Sequence, residues 1–195
     1  MSPMSLPPLP QAFSMNYSGL SNRLITDIEV FEYFDASAPL YSAPVSHKTT
    51  ALWDTGATAS IITSGTAQAL KLKPIGKTMI NHGGGQSEQL THLVNIGLPN
   101  KVLVGGVIVT EMDKIADNFG VIIGMDIIAS GDFSLTNCGG KTCFSFRFPS
   151  LAKIDYVEEI NNITSKLRGH DPCPCRSGKK FRKCHGTSNL RLQQV

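Results

Sequence analysis

The chain has 195 residues, a length sufficient for one domain with a sizeable core and a small appendage. Hydrophobic residues make up 41% of it and charged residues 17%, as in an ordinary globular protein. No apolar run approaches the roughly 20 residues that a membrane span needs, so we expect a soluble chain without a membrane partner. The net charge of +3 combines a mildly acidic body with a basic tail, because residues 166–195 hold eight of the 18 Lys and Arg and a single acidic residue.

Residues 1–20 are predicted to be a flexible N-terminal arm. The first ten residues contain four prolines and no basic residue, so they lack the basic and apolar regions of a secretion signal. We therefore expect a cytoplasmic protein.

Strand-like patterns recur along the body of the chain and are interrupted by one short helix. Residues 64–72 can form that helix, with Thr66, Ala67 and Leu70 facing inward and an end before Pro74. The whole pattern predicts an all-β, barrel-like fold with short helices. The predicted strands cover residues 24–34, 49–54, 77–94 as a hairpin, 102–110, 120–124, 133–137 and 143–148.

The apolar run 51–53 stops at Asp54-Thr55-Gly56 and resumes as small residues followed by two isoleucines. A lone Asp-Thr-Gly is also ordinary turn chemistry. Downstream, however, a hydrophobic strand ends at Gly124 and is followed by the start of a short apolar helix. In this order the two segments resemble those of the retropepsin (retroviral-type aspartic protease) family. The resemblance implies a closed barrel for residues 21–150, in which the second strand packs behind the catalytic loop and its glycine lets the loop approach closely.

Peptide hydrolysis needs a base that deprotonates water and an acid that protonates the substrate. Two carboxylates about 3 Å apart supply both, because they share one proton. The chain contains a single Asp-Thr/Ser-Gly sequence. The resemblance therefore implies a homodimer in which Asp54 of each subunit meets at a two-fold axis and cleaves a peptide or protein substrate.

Further roles follow from the same resemblance. Thr55 would brace the loop across the dimer, and Gly56 would let the substrate backbone approach. The tip formed by His82, Gly83, Gly84 and Gly85 stands where retropepsins carry the flap that closes over the substrate. A plain hairpin turn is the alternative for this tip. Asp126, in the helix start, is interpreted as a structural residue, with a second catalytic acid as the minor alternative.

Near the C-terminus, Cys173 and Cys175 are followed after eight residues by Cys184 and His185. Zinc takes four such ligands in a tetrahedron, and a segment too short for its own core gains its fold from the metal. The surrounding residues, including a Ser-Gly-Lys-Lys sequence and Phe181, are very similar to the SEC-C family, in which glycine is common at the position of Arg176. A disulfide or redox pair is the alternative, and a reducing compartment argues against it.

The remaining cysteines, Cys138 and Cys143, are expected to be free thiols. Between the body and the zinc motif, apolar residues recur every three or four positions and predict an amphipathic helix in residues 151–169. This linker could pack on the barrel or contribute to dimerisation. The SEC-C zinc motif is assigned to residues 170–187 and a tail to residues 188–195.

These observations predict an aspartic endopeptidase with an appended structural zinc site. The alternative is a non-catalytic module whose basic zinc motif binds ribosome, nucleic acid or an acidic protein partner, since basic residues lie between the ligands.

Overall fold

The computed structural model describes residues 9–38, 44–82, 85–99, 101–115 and 118–186. The chain divides into two compact units, Met1–Leu151 and Ala152–Val195.

The described residues of the first unit form ten β-strands and two short α-helices. The strands are β1 (Gln11–Asn16), β2 (Ile25–Glu32), β3 (Ser46–Trp53), β4 (Ile61–Thr63), β5 (Gly76–His82), β6 (Gly85–Gly97), β7 (Leu103–Met112), β8 (Val121–Ile123), β9 (Asp132–Thr136) and β10 (Cys143–Phe148). The helices are α1 (Ser64–Ala69) and α2 (Met125–Ile128).

Six strands close into a barrel in the order β2-β3-β8-β4-β7-β6, and pairing of β2 with β6 completes the ring. Strand β5 is added outside the ring as the hairpin partner of β6. The parallel pairs are β3 with β8 and β4 with β7. The predicted all-β closed barrel with short helices is therefore confirmed.

Local sequence explains the main elements of the barrel. In β2, the alternating residues Ile28 and Val30 are buried, because side chains of a strand point alternately to its two faces. Thr66 and Ala67 of α1 and Leu70 directly after it face inward as predicted, and the hydroxyl of Thr63 caps the helix by accepting a hydrogen bond from the Thr66 amide.

Part of the expected N-terminal arm is a strand, so that prediction was wrong for β1. Strand β1 pairs antiparallel with β10, in a second sheet of order β1-β10-β9. Phe13, Met15 and Tyr17 pack against the core from alternate positions. This alternation is a strand signal, which the neighbouring prolines obscured. Residues 1–8 lie outside the described part of the chain.

An aromatic cluster joins the second sheet to the barrel. The Trp53 ring lies 4.9–6.3 Å, centroid to centroid, from four phenylalanines, which are Phe13, Phe133, Phe144 and Phe146. The indole Nε1 of Trp53 donates a buried hydrogen bond of 2.9 Å to the Thr26 hydroxyl. Trp53 is the residue before Asp54, so the cluster anchors the strand that ends at the candidate catalytic loop.

Asp132 holds the chain where it leaves β10. Its carboxylate accepts hydrogen bonds from the Leu151 amide at 2.8 Å and the Ser150 hydroxyl at 2.5 Å, and it pairs with the Arg147 guanidinium. These bonds, with that of the Leu151 amide the strongest, hold the pKa of Asp132 well below its usual range. The charged carboxylate therefore stabilises the folded unit.

We expect Asp132→Asn to lower the Tm of the first unit by a few degrees at pH 7. The folded pKa is depressed, so the stabilisation is fully present above the unfolded pKa of about 3.9 and is lost as the pH falls below it. Thermal unfolding of both proteins between pH 7 and pH 2.5 measures this effect. The difference in Tm should shrink in acid, and a difference that stays constant with pH would contradict the assignment.

In the second unit, α3 (Tyr156–Ser165) is the predicted helix of the linker, and the Asp155 carboxylate caps its start. Its apolar side chains, including Val157 and Ile160, are exposed.

In the first unit, Cys138 and Cys143 are free thiols, and Cys143 pairs across the hairpin with Thr136. In the described residues, no helix is long and apolar enough to cross a membrane.

Candidate catalytic and metal sites

Asp54 stands at the end of β3, on a loop that begins where the strand pairing stops. Its amide donates a hydrogen bond to the carbonyl of Ile123 at 2.9 Å, and Oδ1 of its carboxylate accepts one from the Gly56 amide at 2.8 Å. The side chain of Asp54 is half-buried, whereas Thr55 and Gly56 are exposed. The loop therefore presents a fixed carboxylate at the protein surface.

The far side of this loop is held by Asp126 and Ser60. One carboxylate oxygen of Asp126 accepts from the Ser60 amide at 2.9 Å and the other from its hydroxyl at 2.7 Å. The Ser60 hydroxyl oxygen also accepts from the Gly124 amide at 3.1 Å. Both oxygens of Asp126 are thus engaged in holding the loop, which supports a structural role for this residue.

Gly124 lies directly against the loop backbone. A Cβ atom at this position would lie 2.7 Å from the carbonyl carbon of Ala59 and 2.9 Å from the carbonyl oxygen of Ala57. The Met125 amide donates to that same Ala57 oxygen at 2.8 Å. Close packing of strand β8 behind the loop therefore requires a glycine.

We expect Gly124→Ala to destabilise the first unit by about 1–3 kcal/mol, because the added methyl group overlaps backbone atoms that cannot rotate away. Urea unfolding measures the change. Gly19→Ala is the matched control, since a Cβ atom there would meet nothing within 4 Å. Equal stability of the two variants would contradict the packing argument.

A cleft of about 430 Å³ opens beside Asp54 and Thr55. Of the described residues that line it, Asp54 is the only acid. The complete lining comprises Ser21, Asn22, Arg23, Leu24, Leu52, Trp53, Asp54, Thr55, Phe133 and Leu135. One chain therefore brings a single carboxylate to this cleft.

The candidate flap is the hairpin of β5 and β6. The register pairs His82 with Gly85 and leaves Gly83 and Gly84 as the connection between them, outside the described residues. Gly85 has a φ of 117°, a conformation that glycine adopts without strain. The hairpin spans residues 76–97, where the sequence predicted 77–94, and its role as a flap stays a prediction.

Four potential metal ligands come together in the second unit. The ligand atoms of Cys173, Cys175, Cys184 and His185 all lie within 4.8 Å of one another. Sγ of Cys175 lies 3.4 Å from Sγ of Cys173 and 3.5 Å from that of Cys184, and Nδ1 of His185 lies 3.1–3.3 Å from two of the sulfurs. Tetrahedral bonds of about 2.0–2.3 Å to zinc require ligand separations of this order, so the four residues fit the metal.

Ser177 and Arg176 lie next to the four ligands in the sequence. The Ser177 hydroxyl lies 3.1 Å from Sγ of Cys175, and this contact holds the pKa of that thiol below its usual range, which favours the thiolate that binds metal. Arg176 has a φ of 58°, in the left-handed region that favours glycine. A glycine would adopt this conformation without strain.

Comparison with protein families identifies both segments. Residues 46–127 match the family model described as aspartyl protease, and residues 171–187 match the SEC-C motif. The central segment matches the aspartyl protease family. Both resemblances seen in the sequence are thereby confirmed, and the match to the aspartyl protease model includes the Asp54 loop and β8.

Solved structures similar to this chain include three proteases. EIAV protease complexed with the inhibitor HBY-793 is 23% identical, with 56% of this chain and 88% of that chain covered and a TM-score of 0.39. A retropepsin-like aspartic protease from Rickettsia conorii is 8% identical, with coverages of 73% and 98% and a TM-score of 0.42. The protease of Simian Foamy Virus (mac) is 14% identical, with coverages of 54% and 92% and a TM-score of 0.36.

Sequence relatives match the chain through a short segment. The protein translocase subunit SecA of Francisella tularensis subsp. novicida (strain U112) is 47% identical over 30 residues, which are 15% of this chain. The chain thus spans about 3% of the length of that protein.

Sequence reasoning brought Asp54, Thr55 and Gly56 to one loop and the four metal ligands to one cluster, and the structure places them so. It missed the residues that line the cleft beside Asp54, above all Arg23 and Leu135. Arg23 precedes β2 and Leu135 lies within β9, so both are distant in sequence from Asp54, and no pattern in the sequence indicated their position.

Proposed function

We propose that the chain is an aspartic endopeptidase that acts as a homodimer. The observation that carries this proposal is the exposed Asp54-Thr55-Gly56 loop, which contributes a single carboxylate to its cleft. Two such loops related by a two-fold axis would place two carboxylates about 3 Å apart, where they share one proton. One Asp54 would deprotonate the attacking water while the other protonates the substrate.

Apolar side chains beside the loop support the dimer. Met125, whose amide is bonded to the loop, is 37% exposed, and Leu135, which lines the cleft of Asp54, is 45% exposed. Exposed apolar side chains around a half-site are suited to burial against a second copy.

In the proposed dimer, the β5–β6 hairpin would close over an extended peptide, whose backbone would pair with the glycine-rich tip.

Mixing active and inactive chains tests this proposal. Wild-type protein equilibrated with a threefold excess of Asp54→Asn chains should retain about one quarter of its activity, because random pairing leaves about a quarter of the wild-type chains with a wild-type partner. The control is the same excess of an unrelated protein. Undiminished activity in heterodimers, or full activity in a monomer by analytical ultracentrifugation, would contradict the shared site.

The second unit is proposed to bind zinc as a structural metal and to act as an interaction module. Cys173, Cys175, Cys184 and His185 would hold the ion, which would supply the fold of this segment. Five basic residues of the motif are exposed, namely Arg176, Lys179, Lys180, Arg182 and Lys183. They would form a surface that binds the phosphates of a nucleic acid or a ribosome, or an acidic protein. Thiolate ligands suit the reducing conditions of a cytoplasmic location.

A further inference from the structure

Helix α3 presents an apolar stripe to solvent. The stripe consists of Tyr156, Val157, Ile160 and Ile163, which are 40–71% exposed. At 3.6 residues per turn, these four positions fall within about 120° of the helix circumference. Large apolar side chains gathered on one side of a helix are typical of a surface that packs against a partner.

Both ends of α3 are fixed by local hydrogen bonds. Oδ1 of Asp155 accepts from the amides of Val157 and Glu158 at 3.0 and 3.1 Å and so caps the start of the helix. At the other end, the Lys166 amide donates to the Ile163 carbonyl at 3.3 Å. The apolar stripe therefore lies on a regular, capped helix.

One edge of the apolar stripe carries opposite charges at its two ends. Glu159 lies in the first turn of α3 and Lys166 directly after its last residue, and both are exposed. Seven residues separate them, which is nearly two full turns, so they lie on the same edge of the stripe. Within the part of the chain that the structure describes, neither side chain forms an ion pair.

These charges make α3 complementary to a second copy of itself in one direction. When two such helices face each other antiparallel, a two-fold axis brings the same edge of both stripes together with the directions reversed. Glu159 of one copy then lies beside Lys166 of the other at both ends of the pair. In a parallel pair, the Glu159 edge would instead meet the opposite edge of the partner helix, where Thr164 lies, and no ion pair would form.

We propose that the α3 helices of two chains pack against each other as an antiparallel pair in the homodimer. Ile160 and Ile163 would meet across the axis at the centre of the pair, and two ion pairs between Glu159 and Lys166 would close one edge. A helix of ten residues is short for pairing on its own. The dimer proposed for the Asp54 loops would supply a high effective concentration of the second helix. The inference needs that dimer but not the peptidase reaction.

A second copy suits this helix better than an anionic membrane surface does. A helix that lies on such a membrane combines its apolar stripe with Lys and Arg on the polar face. The start of α3 instead carries Asp155, Glu158 and Glu159, whose charges an anionic surface would repel. The same charges favour a partner helix that ends in a basic residue.

Sedimentation equilibrium of the full-length protein over a dilution series measures the contact. Ile160→Gln would place two polar side chains at the centre of the pair and should raise the dimer Kd by about tenfold or more. Asn162→Gln is the matched control, because Asn162 is exposed on the side of α3 away from the stripe, and it should keep the wild-type Kd. Hydrogen exchange of residues 156–165 and zinc content check that each variant keeps the fold of the second unit.

Charge reversal tests the direction of the pair. Glu159→Lys would set two lysines against each other at both ends and should raise the Kd by about three- to tenfold, whereas adding Lys166→Glu to the same chain should restore it. Glu158→Lys is the matched control, since it makes the same change in the first turn on the side away from the stripe. In about 1 M salt the charge effects should fade while that of Ile160→Gln remains.

The outcomes separate this inference from the proposed function. An unchanged Kd in Ile160→Gln would overturn the helix pair and leave the dimer of the Asp54 loops in place. Failure of the double charge reversal to restore the Kd would overturn the antiparallel direction. Binding of the wild type, but not of Ile160→Gln, to phosphatidylserine vesicles would assign the stripe to lipid instead. A dimer weakened as expected by Ile160→Gln but without peptidase activity would support the helix pair and refute the proposed reaction.

Discussion

Asp54→Asn is expected to lower the kcat for peptide cleavage by about 10³-fold or more, because it removes both the general base and the shared proton of the pair. The amide has nearly the shape of the carboxylate, and its oxygen can still accept the hydrogen bond from the Gly56 amide. The loop and the dimer should therefore remain folded. Kinetics with a cleavable peptide, together with sedimentation and thermal unfolding, measure the two parts of this expectation.

Asp27→Asn is the matched control, since it makes the same change of charge at an exposed position of β2 outside the cleft of Asp54. It should keep wild-type turnover. Wild-type turnover in Asp54→Asn would remove Asp54 from the mechanism. Loss of the dimer in that variant would instead assign the carboxylate a role in assembly.

Removing one metal ligand should have an equally large effect on the second unit. Cys184→Ser is expected to release about one zinc per chain and to unfold residues 170–186, because structural zinc contributes about 10–16 kcal/mol to comparable small motifs. Backbone bonds such as those from the Cys173 amide to Lys179 and from the Phe181 amide to Asp171 would then be lost. Metal analysis and hydrogen exchange of this segment give the readouts.

Cys138→Ser is the matched control, because Cys138 is an exposed thiol outside the ligand cluster. It should keep the full zinc content and the protection of residues 170–186. The first unit should retain its Tm in both variants. Purified wild-type protein without zinc, or equal zinc content in Cys184→Ser, would overturn the assignment of the metal.

Both candidate sites could be predicted from the sequence because their key residues are close together along the chain. Asp54, Thr55 and Gly56 are consecutive, and the four metal ligands fall within 13 residues. Short segments of this kind carry their backbone geometry in their own residue types, such as the glycine after Thr55. The close contact at the distant Gly124 was also expected, as an implication of the resemblance to retropepsins.

The tertiary structure alone decided how the strands surround the catalytic loop. Alternation of apolar residues predicts that β2 and β3 are strands, yet it leaves open their register, the closure of the barrel by β2 and β6, and the pairing of β1 with β10. Register depends on the summed packing of side chains from many strands, and no single strand contains that information. For this reason Asp54 could be found from the sequence, whereas the other residues that line its cleft, such as Phe133 and Leu135, could be found only in the folded chain.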